Sequence, residues 1–191
     1  MTALIGWALA VASTATVLPQ SIKLLRSRNS EGVSTVTVAL AVVTMAVWST
    51  YTFQLRDWPA LGSSLGPLLA WGSSLVLLSI INKSWRIMIV AVGISASVLP
   101  FLSLTHLGIL AAAGSTLWAL PQLKVALSKV PLTGVSSLAY IFIAIENVGW
   151  IVYGLLTGHL IYLVAPLVQA PVALIIAIKA RKDKQVARVR L

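Results

Sequence analysis

The 191-residue sequence has no cysteine, four acidic residues and only 9% charged residues in all. Without cysteine there is no disulfide, no thiol nucleophile and no thiolate metal ligand. Soluble globular chains carry roughly 25% charged residues. A chain this small also has too much surface for its volume to hide a large apolar excess from water. These shortages exclude a soluble enzyme and a disordered regulator. Two histidines are present, His106 and His159, and neither has a second ligand at metal spacing. No His/Asp/Ser set and no carboxylate pair points to catalysis. The chain is therefore read as no enzyme, with no cofactor and no metal. Nothing basic precedes the first apolar run and no small-residue cleavage site closes it, so that run is expected to be retained.

Apolar residues make up 59% of the chain, and mean hydropathy is +0.97. About 20 apolar residues suffice for a helix to cross a bilayer. Charged or turn-like interruptions leave seven apolar runs, at 2–20, 34–54, 60–81, 87–102, 107–122, 134–156 and 160–178. The expected fold is an all-α integral membrane protein of seven transmembrane helices. Cytoplasmic loops collect Lys and Arg. Thirteen of the 14 Lys and Arg fall in alternate segments, and Arg56 alone lies in the others. This puts the N-terminus outside and the C-terminus in the cytoplasm. The net charge of +10 is then a topology signal, and no nucleic-acid partner is expected. The basic tail, 181–191, is read as a solvated topogenic tail that can also meet anionic lipid.

The sequence repeats itself. Leu18-Pro19-Gln20 returns as Leu120-Pro121-Gln122, an offset of 102. In the same register Gly6 matches Gly108, Ser13-Thr14 matches Ser115-Thr116, and Gly32-Val33-Ser34 matches Gly134-Val135-Ser136. Trp48 matches Trp150, and Tyr51 matches Tyr153. So many matches in one register argue for duplication. Three crossings end on the side opposite their start, so a second copy in the same orientation needs one extra crossing. The expected organisation is a first three-helix repeat, 1–82, an inversion linker helix, 83–104, and a second three-helix repeat, 105–180. The two bundles are parallel. Such repeats place a solute site at their interface near midplane.

The two copies, Leu-Pro-Gln at a helix end, basic residues, Gly-Val-Ser and then Trp-x-x-Tyr, resemble the PQ-loop superfamily. The 3+1+3 layout resembles its SWEET branch, whose bacterial half-size relatives are the SemiSWEETs. The resemblance covers residues 1–178. It implies a uniporter that passes mono- or disaccharides down their gradient by alternating access. SWEETs usually carry an asparagine on spans three and seven, beside the tryptophans of spans two and six. Here span three has Gly66-Pro67 and span seven has Gln169. Gln169 can make similar hydrogen bonds from a longer arm, whereas Pro67 offers no side-chain donor or acceptor.

Several positions carry the expected chemistry. Pro19 and Pro121 lack an amide hydrogen and clash with the carbonyl four residues back. With Gln20 and Gln122 they are read as hinges of the inner mouth; the other reading is a helix-ending proline that starts a loop. Trp58 and Trp85 fit interfacial tryptophan. Trp48 and Trp150 lie deeper, and an indole face suits the apolar face of a sugar ring. Tyr51 and Tyr153 share their stripe one turn further out. By resemblance they belong to an outer gate, where Arg56-Asp57 could form an ion-pair latch. Glu146 is the one acid well inside a span, where a charge is costly and usually faces a cavity or a partner. Glu146, Trp150 and Tyr153 follow i, i+4, i+7, and Thr44 holds the Glu146 position in the first copy. The solute-binding set is thus Thr44, Trp48, Glu146, Trp150 and Gln169.

Glu146 is open to four readings. It binds sugar hydroxyls, binds a cationic group, carries a proton, or is a protonated structural carboxyl bonded to a neighbour such as Asn147. The leading function is facilitative uniport of a small polar solute, most simply a sugar. The rivals are a proton-coupled carrier of an amino acid or other small solute, and a non-transporting receptor or accessory subunit. The expected partners are the solute and membrane lipid, with a homo-oligomer left open. Short loops and a short tail fit a multi-pass protein of a bacterial inner membrane.

Overall fold

A computed structural model describes residues 1–28, 35–128, 132 and 137–189, except for the side chains of a few residues within the helices. The described chain contains seven α-helices and no strand. They are α1 (Thr2–Ser27), α2 (Thr35–Gln54), α3 (Trp58–Ile81), α4 (Arg86–Val98), α5 (Leu104–Leu127), α6 (Ser137–Thr157) and α7 (Ile161–Val189). A 3-10 turn, Leu99–Phe101, follows α4. Four segments are long and apolar enough to cross a membrane: Thr35–Gln54, Trp58–Ile81, Tyr140–Thr157 and Ile161–Asp183. Thr2–Leu18, Arg86–Phe101 and Leu104–Leu117 are shorter apolar helices.

The helix ends differ from the sequence-based limits most clearly in α1, α5 and α7. α1 runs seven residues past residue 20, because a proline removes one hydrogen bond and leaves the ladder on either side able to continue. α5 starts at Leu104, so His106 lies in its first turn. There Ser103 Oγ lies 2.7 Å from His106 Nδ1. α7 continues to Val189, since Ala, Lys, Arg and Gln are good helix formers even where they end an apolar run.

The chain packs as two compact units, Met1–Gly114 and Ser115–Leu191. Both wear large apolar side chains outside. Leu4, Leu69 and Phe101 are 75%, 74% and 87% exposed in the first unit. Leu155 and Leu160 play the same part in the second. The interior combines aliphatic residues such as Leu75, Leu107 and Ile176 with many alanines and serines, and small residues are what let membrane helices approach closely. In the first unit Ser49 donates to Ser64 (3.1 Å), joining α2 to α3. Ser21 donates to the Ala70 carbonyl (2.9 Å) and Ser74 to Ser21 (2.9 Å), joining α1 to α3. Gly66 is required by close approach: a Cβ there would overlap the Thr14 hydroxyl.

The connection between α2 and α3 is very tight. Arg56 takes a left-handed conformation (φ 56°). Its N–H donates to Phe53 O, and the Asp57 N–H donates to Thr52 O. This is the paired bonding of a Schellman cap. Asp57 then caps α3, its Oδ1 accepting from the Ala60 N–H at 3.2 Å.

In the second unit the C-terminal halves of α5 and α7 present Ala126 and Ala180. The positions 102 residues earlier are Leu24 and Leu78, both buried in the core of the first unit. Leu132, from the α5–α6 connection, packs in the cluster that holds the two alanines. Asp183 on α7 accepts the Leu132 N–H at 2.8 Å and pairs with Lys179 at 3.2 Å.

Candidate functional site

Two helical stripes carry the chemistry singled out above. On α2, Thr44, Trp48 and Tyr51 share a face at i, i+4, i+7. The Trp48 and Tyr51 rings meet edge-to-face, with centroids 5.8 Å apart at 80°. On α6, Trp150 and Tyr153 repeat the arrangement at 5.5 Å and 82°. Both tyrosines are buried and both indoles are half-buried. Edge-to-face contact suits the positive ring edge and negative ring face. It also fixes each indole against its own helix.

Thr44 is half-buried and stands against Gly114 on α5. A Cβ at Gly114 would lie 2.8 Å from the Thr44 Oγ1, so the glycine is what lets α5 pass the hydroxyl. Glu146 is half-buried on α6. Its neighbour Asn147 is buried, and the Asn147 amide donates to the Ile143 carbonyl of the same helix at 2.8 Å. Gln169, half-buried on α7, donates from Nε2 to the Ser115 carbonyl on α5 at 2.7 Å.

Arg56 and Asp57, expected at an outer latch, sit in the α2–α3 turn, where they provide the left-handed residue and the cap of α3. The backbone of residues 19, 20, 121 and 122 lies inside α1 and α5. The side chains of Pro19, Gln20, Pro121 and Gln122 lie outside the described residues.

Sequence reasoning passed over Tyr162. Its ring lies 5.9 Å from both Trp150 and Tyr153, and 5.8 Å from His159. It closes a cluster at the α6–α7 end of the second unit. The position 102 residues earlier is Ala60, so a search for residues shared by two copies skips it. His159 is thus placed against an aromatic ring at that helix end.

The first unit also has an open groove of about 380 Å³ lined by Val42, Ala46 and Thr50 of α2 with Val92, Ser95 and Leu99. It lies on the face of α2 opposite Thr44 and Trp48. Its two hydroxyls already donate to the Ala46 and Ala91 carbonyls. The hydrogens of both hydroxyls are therefore engaged within their own helices.

Helices long enough to span, apolar exteriors and small-residue interiors define a multi-pass membrane protein. A protein-family model described as PQ loop repeat matches residues 1–61, which take in α1, α2 and the start of α3. That match supports the PQ-loop superfamily, and with the apolar helices it points to a transporter-like protein. No curated protein matches the chain.

Proposed function

We propose that the chain is a seven-span transporter that moves a small polar solute by alternating access, as a facilitative uniporter. A mono- or disaccharide is the preferred solute. The observation that carries this reading is the duplicated Trp–Tyr pair, found 102 residues apart with ring geometries of 5.8 Å, 80° and 5.5 Å, 82°. An indole held edge-on by a tyrosine keeps a flat apolar face for a sugar ring. Thr44 and Glu146 on the same stripes supply polar contacts to hydroxyls. Pro19 and Pro121 are the weak points at which the inner ends of α1 and α5 bend. The two copies act as parallel three-helix repeats, with α4 as the crossing that keeps them parallel.

A second reading, proton-coupled carriage of an amino acid or similar solute, is favoured by one observation. Glu146 is a half-buried carboxyl in a helix that otherwise runs apolar from Tyr140 to Thr157 except for Asn147. Uptake into proteoliposomes decides between them. The probes are labelled glucose, sucrose, proline and arginine, with and without a pH gradient. Uniport gives saturable sugar uptake that a pH gradient does not drive. Glu146→Gln then keeps most of that uptake. Accumulation driven by the gradient and abolished in Glu146→Gln would establish the second reading instead. A folded, inserted protein that moves none of the probes would contradict both.

A further inference from the structure

We propose that Gln169 is a positioning residue: its side-chain amide anchors the α5 backbone at Ser115, and the inner part of α5 bends about that fixed point. The role in bending rests on the transport reading above; the anchor itself does not.

The two units join their first and third helices differently. In the first, α1 and α3 touch directly, because Gly66 has no side chain to hold Thr14 away. The positions 102 residues later are Val168 and Gln169 in place of Gly66 and Pro67. Val168 packs against the apolar cluster of Ala126, Leu132 and Ile176. A valine does not permit the approach that a glycine permits. The second unit joins the same two helices with a long polar arm, Gln169 Nε2 to Ser115 O at 2.7 Å. In an apolar surrounding such a bond is strengthened, and leaving its donor unmet is costly.

The place of the anchor matters. In an α-helix the Ser115 carbonyl accepts from residue 119, and only one more pair, Thr116 with Leu120, follows before the amide missing at Pro121. Pro121 has no amide for the Leu117 carbonyl. The anchor therefore marks where the intact ladder of α5 ends and its weakened stretch begins. α7 holds the chain a second time beyond that stretch, where Asp183 accepts the Leu132 N–H at 2.8 Å. Both partners on the held chain are backbone atoms. Bending is thereby confined to the segment between two points fixed on α7, and Pro121 lies inside it. A glutamine spent on a helix backbone in this way acts on the solute through α5 and not by touching it.

The test is hydrogen–deuterium exchange of the full chain in lipid nanodiscs, read on peptides covering 115–124. The same preparations are assayed for equilibrium binding and counterflow of labelled glucose. Gln169→Leu should raise exchange at these amides about five- to tenfold, the scale of one lost net hydrogen bond, and slow counterflow. Glucose affinity should stay within about twofold. Gln169→Glu is the control that survives if the leucine variant fails to fold. Its protonated carboxyl can donate to Ser115 O and its carboxylate cannot. Protection, referred to wild type at the same pH, should be near normal at pH 5 and lost at pH 9. Unchanged α5 exchange in Gln169→Leu with a tenfold loss of glucose affinity would overturn the proposal in favour of a solute ligand. Protection in Gln169→Glu that ignores pH would overturn it too. If the exchange changes appear but wild type moves no probe, the anchor holds and the transport reading falls.

Discussion

At the scale of single residues, the first unit is held together by what is missing from Gly66. Thr14 occupies the space where a Cβ would be, with Cγ2 and Cβ at 3.0 and 3.1 Å from that position. Gly66→Ala should therefore destabilise the protein by about 1–3 kcal/mol, the usual range for overpacking. Adding Thr14→Ala removes the hydroxyl and methyl that clash and should recover part of the loss, giving a non-additive cycle in thermal unfolding. Additive effects would show that the two residues do not meet. The same scale explains what the sequence could and could not reveal about the site. Trp48, Tyr51, Trp150 and Tyr153 stood out because duplication marks them, and both pairs do meet ring to ring. Tyr162 has no counterpart and stayed hidden. The partner of Gln169 was illegible for another reason. It is a backbone carbonyl 54 residues away, and a carbonyl leaves no trace in residue identity.

At the scale of helices and their connections, each apolar run of the sequence holds an α-helix, and four of these are long and apolar enough to cross a membrane. Their ends were less legible. A proline and a cluster of basic residues both look like stops, yet α1 and α7 continue through them. Leu132 was equally unreadable as a core residue. It is buried because Ala126 and Ala180 leave room that Leu24 and Leu78 fill in the first unit. Leu132→Ala should destabilise the second unit by about 2–3 kcal/mol, as an emptied apolar socket does. Asp183→Ala removes the acceptor of the Leu132 N–H together with the partly exposed ion pair to Lys179 and should lower stability by about 1 kcal/mol, chiefly through the lost acceptor. Chemical denaturation of the double variant should show less than the sum, because both residues seat one segment. An effect of Leu132→Ala under about 0.5 kcal/mol, the range of ordinary surface changes, would contradict its place in the core. Replacing Pro19 and Pro121 together by Ala restores two interior amides. It should slow solute exchange while leaving the melting temperature equal or higher. Unchanged flux in that double variant would remove the prolines from the bending mechanism.

At the scale of the whole molecule, the distribution of charge carries the orientation. Thirteen of 14 Lys and Arg lie in alternate segments, so the N-terminus should be outside and the C-terminus inside. The chain has no cysteine, which makes Lys184→Cys a clean reporter. Membrane-impermeant maleimide should not label it in intact cells and should label it after permeabilisation. Labelling in intact cells would reverse the topology. On the proposed function, the paired indoles recognise a solute that the protein carries across the membrane. The most direct measurement is counterflow of labelled glucose and sucrose in proteoliposomes, comparing wild type with Trp48→Ala and Trp150→Ala at matched insertion and melting temperature. Wild type should show saturable counterflow, and each variant should lose at least tenfold, in line with a stacking surface removed from the site. Wild-type counterflow unchanged in both variants would contradict it.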